Sequence, residues 1–492
     1  MTDLAEKNSQ SIDPLATPGD HRPLLFGPHA GPAWALVLGV GLHSFTLFIM
    51  HTAVPSAIGE LGGARLMAWV STTYLVASII TGTITGRALR RFTPRQVMTV
   101  SGVVFLFGCA IAAFANSMPV LLIGRGVQGL GEGMVVATCF GMVRMLFPQA
   151  LIARVFGLFA LIWAVSSVLA PLASGVLTET MGWRYAVGSP ALIGVALLAL
   201  VGLALPGTSM KGDENTDRKA SLPLIRLFAV TLAILAVAIA GNLRDAPMAL
   251  VLTITGAAIF AAVLWRDRRT EHYLFPRRAF GLGTTDGVMF WQILLMPLST
   301  AGIVVFVVLF TQTRFGFSPS VAGFYYVISS LCWSAGATLI SRLDYEKVSP
   351  VTQRIGPFLH ALSMVLVGTG FWLGNPWITA LGLICNGFGF GLSWAHINQT
   401  LVRSTPAADE DLAATLVPTV QSIGIAAGAS LAGAMANFSG LQDPVTPEMV
   451  ITASPMIFGL GLCFTLISCF MGWRGAFLMQ SSGLLTPASK PD

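Results

Sequence analysis

The sequence predicts an all-α membrane protein with fourteen transmembrane helices, and three observations support this prediction. The chain has 492 residues, of which 54% are hydrophobic and only 10% are charged, and its mean hydropathy is +0.75. Apolar runs of about 20 residues recur along it, and each is long enough to cross a hydrocarbon core of roughly 30 Å as a helix. The runs follow an order of six, two and six. We therefore expect two six-helix bundles with two extra helices between them.

The candidate spans and the segments that connect them divide the whole chain. The spans are predicted at about residues 32–57, 66–88, 97–116, 119–146, 152–177, 184–205, 223–241, 247–265, 285–311, 320–340, 353–373, 376–402, 413–436 and 450–472. The expected regions are a cytoplasmic N-terminal tail (1–31), the first bundle (32–206), a cytoplasmic linker (207–222), the extra pair with its loop (223–280), the second bundle (281–476) and a cytoplasmic tail (477–492).

Positive charge is distributed unequally between the two sides of the predicted bundles. If the N-terminus is cytoplasmic, 22 of the 28 lysines and arginines fall on the cytoplasmic side. Cytoplasmic loops of membrane proteins carry such an excess. We therefore expect a multi-pass protein of the cell membrane with both termini in the cytoplasm. Membrane orientation also explains the net charge of +6, so nucleic acid is not an expected partner.

The sequence contains no pattern typical of an enzyme or of a metal site. HExxH, GxSxG and Walker motifs are absent, and the six cysteines lie in apolar runs without the spacing of zinc ligands. We expect a monomeric transporter whose partners are a small-molecule substrate, protons and the lipid bilayer. No cofactor is expected, because the proton gradient would supply the energy. A polytopic membrane enzyme or receptor is the alternative from another class.

The fourth predicted span, LLIGRGVQGLGEGMVVATCFGMVRMLF at 121–147, carries an unusual line of polar residues. Arg125, Gln128 and Glu132 follow i, i+3, i+7 spacing, so they share one face of a helix. Ionisable groups at this depth are costly and commonly belong to transport pathways. We predict that Glu132 couples transport to protons and that Arg125 assists it. A structural hydrogen bond for Glu132, and backbone carbonyls as partners of Arg125, are the open alternatives.

An internal repeat relates the two predicted bundles. QGLGEG at 128–133 matches NGFGFG at 386–391, so that Gln128 corresponds to Asn386 and Glu132 to Phe390. Each segment falls in the fourth span of its bundle. Repeated bundles that enclose a site near the midplane are typical of transporters. Chance recurrence of glycines that favour helix packing is the alternative.

Several motifs occur in the order and spans typical of one transporter family. They are WVSTTYL at 69–75, GRALRRFTPRQ at 86–96, GRGVQGLGEG at 124–133, APLASG at 170–175 and MGWRYAV at 181–187. Together they resemble the major facilitator superfamily and, within it, the fourteen-span drug:proton antiporter family (EmrB/QacA type). Two motifs depart from the family pattern: in the loop after span two Arg90 replaces the aspartate, and in span one Thr46 replaces an aspartate and His51 an asparagine.

The resemblance implies a major facilitator fold and a proton-coupled exporter of a small amphipathic compound, such as a drug or a secondary metabolite, that works by alternating access. A proton-coupled importer is the alternative within transport. The span-four arginine of this family is thought to tune an acid, which suits Arg125. His51 stands at a polar position of the pattern and is a third candidate for proton coupling. Lone histidines such as His43 and His396 are more often packed, hydrogen-bonded residues.

The resemblance also implies which residues contact substrate and which control gating. Spans 1, 2, 4 and 5 and their counterparts are expected to line the space between the bundles, where aromatic and amide side chains suit amphipathic molecules. The substrate candidates are Gln128, Phe45, Trp69, Tyr74, Trp291, Gln292, Tyr326, Trp394, Asn398 and Gln421. The gating candidates are Gly86, Arg90, Arg91 and Arg95 in the loop motif, and Pro171 and Gly175 in span five. Helix packing is the alternative for each aromatic residue.

Overall fold

A computed structural model describes residues 24–27, 29–205, 224–241, 243, 246–270, 273–341 and 343–481. The predicted linker at 207–222 and most of both predicted tails lie outside these residues. Within the described ranges the regular structure is helical, with fifteen α-helices and one short 3-10 helix.

The helices follow the predicted spans in order. The first bundle contains α1 (Ala30–Leu61), α2 (Met67–Arg91), α3 (Pro94–Ala113), α4 (Met118–Leu146), α5 (Gln149–Thr180), α6 (Trp183–Gly188) and α7 (Pro190–Ala204). The extra pair is α8 (Leu224–Ala240) and α9 (Ala246–Asp267). The second bundle contains α10 (Thr285–Phe315), α11 (Pro319–Ile340), α12 (Tyr345–Leu373), α13 (Pro376–Ser404), α14 (Glu410–Phe438) and α15 (Pro447–Ser481).

Thirteen helical segments of the described chain are long and apolar enough to cross a membrane, and α8 contributes a shorter apolar helix at Ile225–Ala240. Large apolar side chains remain exposed along these helices, as in Phe107, Leu203 and Trp377. Such an exposed apolar belt is unfavourable in water and suits a hydrocarbon environment. The chain is therefore a multi-pass membrane protein.

Helix pairing is repeated between the two bundles. In the first bundle α4 packs against α2 and α3, α1 packs against α5 and α7, and α3 packs against α7. In the second bundle α13 packs against α11 and α12, α10 packs against α14 and α15, and α12 packs against α15. Each contact of the first set has its counterpart in the second, as the repeat predicted from the glycine motifs requires.

The bundles meet through two equivalent helix pairs, α5 with α11 and α2 with α14. The extra pair lies beside the second of these seams, because α8 packs against both α2 and α14. Arg226 of α8 forms an ion pair with Asp267 of α9, which holds the two extra helices together. The Asn437 Nδ2 of α14 donates to the Gly241 carbonyl at 2.7 Å and fixes the end of α8 to the second bundle.

Several boundaries differ from the sequence prediction; α12, for example, begins at Tyr345 instead of residue 353. The helix α2 continues to Arg91, so Gly86, Arg90 and Arg91 lie in its last turns and the loop motif is mostly helical. The chain turns only at Phe92 and Thr93, because Thr93 caps α3 and Pro94 occupies its first position. Span six is divided at Ser189 into α6 and α7. The helix α15 extends to Ser481, so the start of the tail predicted at 477–492 is helical.

Candidate functional site

The polar face of α4 meets a histidine of α1 inside the first bundle. Glu132 is fully buried, and the His43 Nδ1 lies 2.5 Å from its Oε1. Ser78 of α2 donates its hydroxyl to the other carboxylate oxygen, Oε2, at 3.2 Å. The arrangement is a buried carboxylate in direct contact with an imidazole and a hydroxyl, and imidazoles commonly exchange protons in proteins.

Aromatic rings enclose the imidazole of this pair. Tyr74 stacks on His43 with ring centroids 6.3 Å apart, and its hydroxyl lies 3.4 Å from His43 Nδ1. Trp163 of α5 contacts the same imidazole edge-on at 5.4 Å. The His43 side chain is 13% exposed, whereas Glu132 is fully enclosed. The histidine therefore stands between the buried carboxylate and less enclosed space.

Arg125 lies two turns before Glu132 on α4, and Gln128 lies one turn before it. Gln128 is fully buried and Arg125 almost fully. Arg125 donates from Nε to the Val70 carbonyl at 3.2 Å and from Nη1 to Gln128 Oε1 at 2.7 Å. Its guanidinium lies over the Tyr74 ring, 4.1 Å from the centroid. Backbone, amide and aromatic contacts thus hold this buried cation.

Close approach of α2 to α4 brings these groups together. Tyr74 and Ser78 are four residues apart, so they share the face of α2 that meets α4. Gly129 and Gly133 lie opposite this face, and a Cβ at either position would overlap the backbone carbonyl of Tyr74 or Ser78. Small residues permit such backbone contact between membrane helices. The glycines of the sequence motif therefore bring the hydroxyl of Ser78 within reach of Glu132.

His51, predicted from the sequence as a third proton-coupling residue, occupies a separate place on α1. Its ring is 5% exposed and lies edge-on to Phe48 and Tyr326, with centroids 6.1 and 5.7 Å away. Neither ring nitrogen has a hydrogen-bond partner within the described part of the chain. The residue that contacts the acid is His43, eight positions earlier.

The substrate candidates of the second bundle differ in how far their polar atoms are already engaged. Gln292 is fully buried; it donates to the Ser468 carbonyl at 3.0 Å and accepts from the Ser468 hydroxyl at 2.7 Å. The indole of Trp291 donates to the Phe280 carbonyl at 3.0 Å. Asn398 donates to the Trp394 carbonyl at 2.7 Å and retains a buried, unpartnered Oδ1 within the described structure. The polar groups of Gln292 and Trp291 are therefore engaged by α15 and by the loop before α10, respectively.

The remaining candidates lie at partly buried positions or at the seams. Phe45, Trp69, Trp394 and Gln421 are half-buried. Pro171 and Gly175 lie where α5 meets α11, and a Cβ on Gly175 would come within 2.8 Å of the Ser320 Cα. A residue larger than glycine would separate the bundles at this point. In the loop motif Arg91 and Arg95 are exposed, and a Cβ on Gly86 would meet open space. The Arg90 side chain lies outside the described structure.

Two carboxylates join the bundles at one end of the molecule, here termed the distal end, where α1 terminates and α2 begins. Asp443, which follows α14, accepts from the Gly63 N–H at 2.6 Å and from the Ala64 N–H at 3.0 Å. Glu179, near the end of α5, accepts from the Ser320 N–H at the start of α11 at 3.2 Å. The repeat relates α5 to α14 and α2 to α11. Asp443 thus caps the 3-10 helix Ala64–Leu66 that leads into α2, and Glu179 caps the first turn of α11, each from the other bundle.

Sequence reasoning did not single out three of these groups. Ser78 could have been found from its spacing to Tyr74 on the predicted helix. The sequence indicates only a lone packed histidine at position 43, because nothing in α1 shows that it faces Glu132. Asp443 lies in a loop, and no local pattern indicates that its partner is on the other bundle.

The sequence matches the model of the major facilitator superfamily over residues 36–429. A probable multidrug-efflux transporter of Mycobacterium tuberculosis is 27% identical over 422 residues, which cover 84% of this chain and 89% of the relative. The multidrug transporter protein MdtP of Bacillus subtilis is 25% identical over 418 residues, with coverage of 82% and 74%.

Solved transporters share the fold of this chain at low sequence identity. A crystal structure of the peptide transporter POT superposes with a TM-score of 0.65 at 16% identity and covers 92% of this chain and 97% of that protein. A D-xylose-proton symporter gives a TM-score of 0.64 at 14% identity, with coverage of 90% and 97%. The repeated helix pairing and the family match lead to one conclusion: the chain is a transporter, not an enzyme, and belongs to the major facilitator superfamily.

Proposed function

We propose that the chain is a proton-coupled antiporter that exports small amphipathic compounds from the cell by alternating access, without a cofactor. The observation that carries this proposal is the buried pair of His43 and Glu132. The names of the mycobacterial and Bacillus relatives favour drug efflux as the physiological direction. In this proposal the protein lies in the cell membrane with both termini cytoplasmic, as the charge distribution predicts, and acts as a monomer.

Proton coupling is proposed to depend on the imidazole of His43. One proton lies between Nδ1 and the carboxylate of Glu132, and a second can bind at Nε2. The pair then alternates between a net charge of −1 and a net charge of zero. Arg125 lies on the same α4 face, about 10 Å along the axis from Glu132, and favours the charged carboxylate. Nε2 would release its proton on one side of the membrane and take up a new proton on the other. This change of charge would link the pair to bundle movement.

A proton-flux experiment in liposomes tests this function. Purified protein is reconstituted with the pH dye pyranine in the lumen, and amphipathic naphthalene compounds of positive, zero and negative charge are added outside. Antiport predicts that a substrate makes an acidic lumen more alkaline, because protons leave as substrate enters. Symport predicts instead that substrate acidifies the lumen when the outside is acidic. Flux equal to that of protein-free liposomes for every compound would contradict the proposal.

The same proposal gives the distal end a role in alternating access. In the proposed orientation this end faces the outside, and the carboxylate caps of Asp443 and Glu179 hold it closed. The double substitution Asp443→Asn and Glu179→Gln replaces two charged acceptors by neutral ones, which weakens both contacts. We expect the distal ends to separate. Spin labels at Gly59 of α1 and Thr452 of α15 should show a larger population of long distances by electron–electron double resonance.

Glu448→Gln is the matched control for this experiment. Glu448 is an exposed acid at the same end, in the first turn of α15, and its neighbours Thr446 and Arg314 belong to its own bundle. Its substitution removes a charge from the distal end without removing a contact between bundles. Equal distance distributions in the double variant and the Glu448→Gln protein would show that the caps do not hold the end closed.

A further inference from the structure

The end of α9 that leads towards α10 carries exposed arginines that the proposed export function does not use. These residues, here termed the arginine cluster, are Arg266, Arg268, Arg269, Arg277 and Arg278. None of them forms an ion pair within the described part of the chain. Positive charges that gather without acidic partners repel one another, so a surface of this kind favours a negative ligand.

The buried Asp267 brings the two parts of the arginine cluster together. Its Oδ1 is engaged by the ion pair with α8, and its Oδ2 accepts from the N–H groups of Leu274 and Phe275 at 3.1 and 2.9 Å. These bonds fold the loop back onto the end of α9. Arg277 therefore reaches that end, where its Nη2 donates to the Thr270 carbonyl at 3.4 Å. The carboxylate of Asp267 holds the loop and α8 and forms no ion pair with the arginine cluster.

The positive surface is centred on the periphery of the molecule. Asp409, which precedes α14, accepts a hydrogen bond from the Tyr273 hydroxyl. The guanidinium of Arg277 lies 5.8 Å from the centre of the same ring, so Asp409 partly offsets the charge of this arginine. Arg268 and Arg269 instead stand at the end of α9, whose main helix contact is with α8. These two arginines are therefore the most accessible to a ligand in the surrounding membrane.

An exposed apolar face of α9 leads directly to the arginine cluster. Ile254, Ala258, Ala261 and Trp265 follow i, i+4, i+7, i+11 spacing, and all four are exposed. The guanidinium of Arg269, one turn further, lies over the Trp265 indole at 4.1 Å from the ring centroid. Tryptophan is enriched where membrane and water meet. The order along this face is apolar, interfacial and cationic, which matches the acyl chains, glycerol region and phosphate of a phospholipid.

We propose that the arginine cluster binds the phosphate head group of an anionic phospholipid whose acyl chains lie along the exposed face of α9. Guanidinium groups suit this ligand because they form two parallel hydrogen bonds with phosphate oxygens. In the proposed orientation the lipid belongs to the cytoplasmic leaflet, where anionic lipids attract basic segments. Binding needs neither a substrate nor a proton gradient, so the inference goes beyond the proposed export function and is tested separately from it.

Lipid retention by the full-length protein tests this site. The protein in detergent is mixed with equal amounts of dioleoyl-phosphatidylglycerol and dioleoyl-phosphatidylcholine, which share their acyl chains and differ in net charge. Native mass spectrometry then measures how much of each lipid stays bound. We expect the native protein to retain the anionic lipid at least about tenfold more than the zwitterionic one.

Two substitutions at the centre of the arginine cluster should remove this preference. Arg268→Gln combined with Arg269→Gln keeps polar side chains but removes both charges, and should lower the preference to about twofold or less. A basic residue near an anionic membrane surface contributes about fivefold to binding. Lysine at both positions keeps the charges and should therefore retain most of the preference.

Lys347→Gln combined with Arg403→Gln is the matched control. Both residues are exposed and have partners in the second bundle, namely Asp344 for Lys347 and the Tyr345 ring for Arg403. In the proposed orientation they lie on the same side of the membrane as the arginine cluster. The control removes the same charge from that side and should keep the native lipid preference.

Equal retention of the two lipids by the native protein, or an unchanged preference in the glutamine variant, would overturn the proposal and leave the arginine cluster with a role in membrane orientation alone. A site for soluble phosphates would be recognised by competition. Because sn-glycerol 3-phosphate has the charged group without acyl chains, displacement of phosphatidylglycerol by an equal concentration of it would also contradict the lipid site. Thermal unfolding in detergent shows that each variant is folded.

Discussion

Replacing Glu132 with glutamine is expected to reduce proton-driven transport to the background of protein-free liposomes while the protein still folds. Glutamine has the size of glutamate and still accepts a hydrogen bond from Ser78, but it cannot ionise. The variant therefore lacks the negative charge that stabilises the second proton on His43, so the exchange between one and two protons on which coupling is proposed to depend is strongly disfavoured. The measurement is substrate-dependent proton flux in pyranine-loaded liposomes, compared with exchange of labelled substrate in the absence of a gradient. We expect the exchange of labelled substrate to remain in the variant.

Ser78→Ala is the control, because it removes the other contact of the carboxylate without changing a charge. The loss of one hydrogen bond of about 1 kcal/mol should shift the proton concentration at half-maximal flux by no more than about fivefold. Coupling itself should persist. If Glu132→Gln transports against a gradient as the native protein does, the pair with His43 is a structural contact and the coupling group lies elsewhere.

Local periodicity explains which parts of this site could be predicted from the sequence. The spacing of Arg125, Gln128 and Glu132 places them on one face, and the structure confirms that Arg125 hydrogen-bonds to Gln128. The glycine motif likewise predicts close helix contact. Both properties are set within a single helix, where 3.6 residues per turn fix the arrangement.

Contacts between helices explain what the sequence did not reveal. The partner of Glu132 depends on the rotation of α1 against α4, which neighbouring helices determine. The sequence therefore favours His51 over His43 as the proton-coupling histidine, because only His51 stands at a polar position of the family pattern. Gln292 shows the reverse case: an amide expected to face substrate is satisfied by Ser468 of α15. Most span positions were predicted, because length and apolar content alone define a membrane helix.

Replacing Gly129 with alanine is expected to destabilise the protein and to distort the site in the same step. The added Cβ would lie 3.0 Å from the Ala77 Cβ and would overlap the Tyr74 carbonyl, both on α2. A backbone carbonyl cannot move aside as a side chain does, so α2 must shift away from α4. Overpacking of this kind costs about 1–3 kcal/mol. The shift would also carry Ser78 away from Glu132.

Gly126→Ala provides a matched control on the same helix, because a Cβ at Gly126 has no atom within 4 Å. Alanine there raises helix propensity by up to about 1 kcal/mol without a clash. Thermal unfolding in detergent should thus show a lower midpoint for the Gly129 variant and an equal or higher one for the Gly126 variant. Equal midpoints would mean that α2 and α4 tolerate separation. Tyr74 and Ser78 lie close to Glu132 only while α2 and α4 are in contact. The Gly129 variant should therefore lose both stability and coupling, and the Gly126 variant should lose neither.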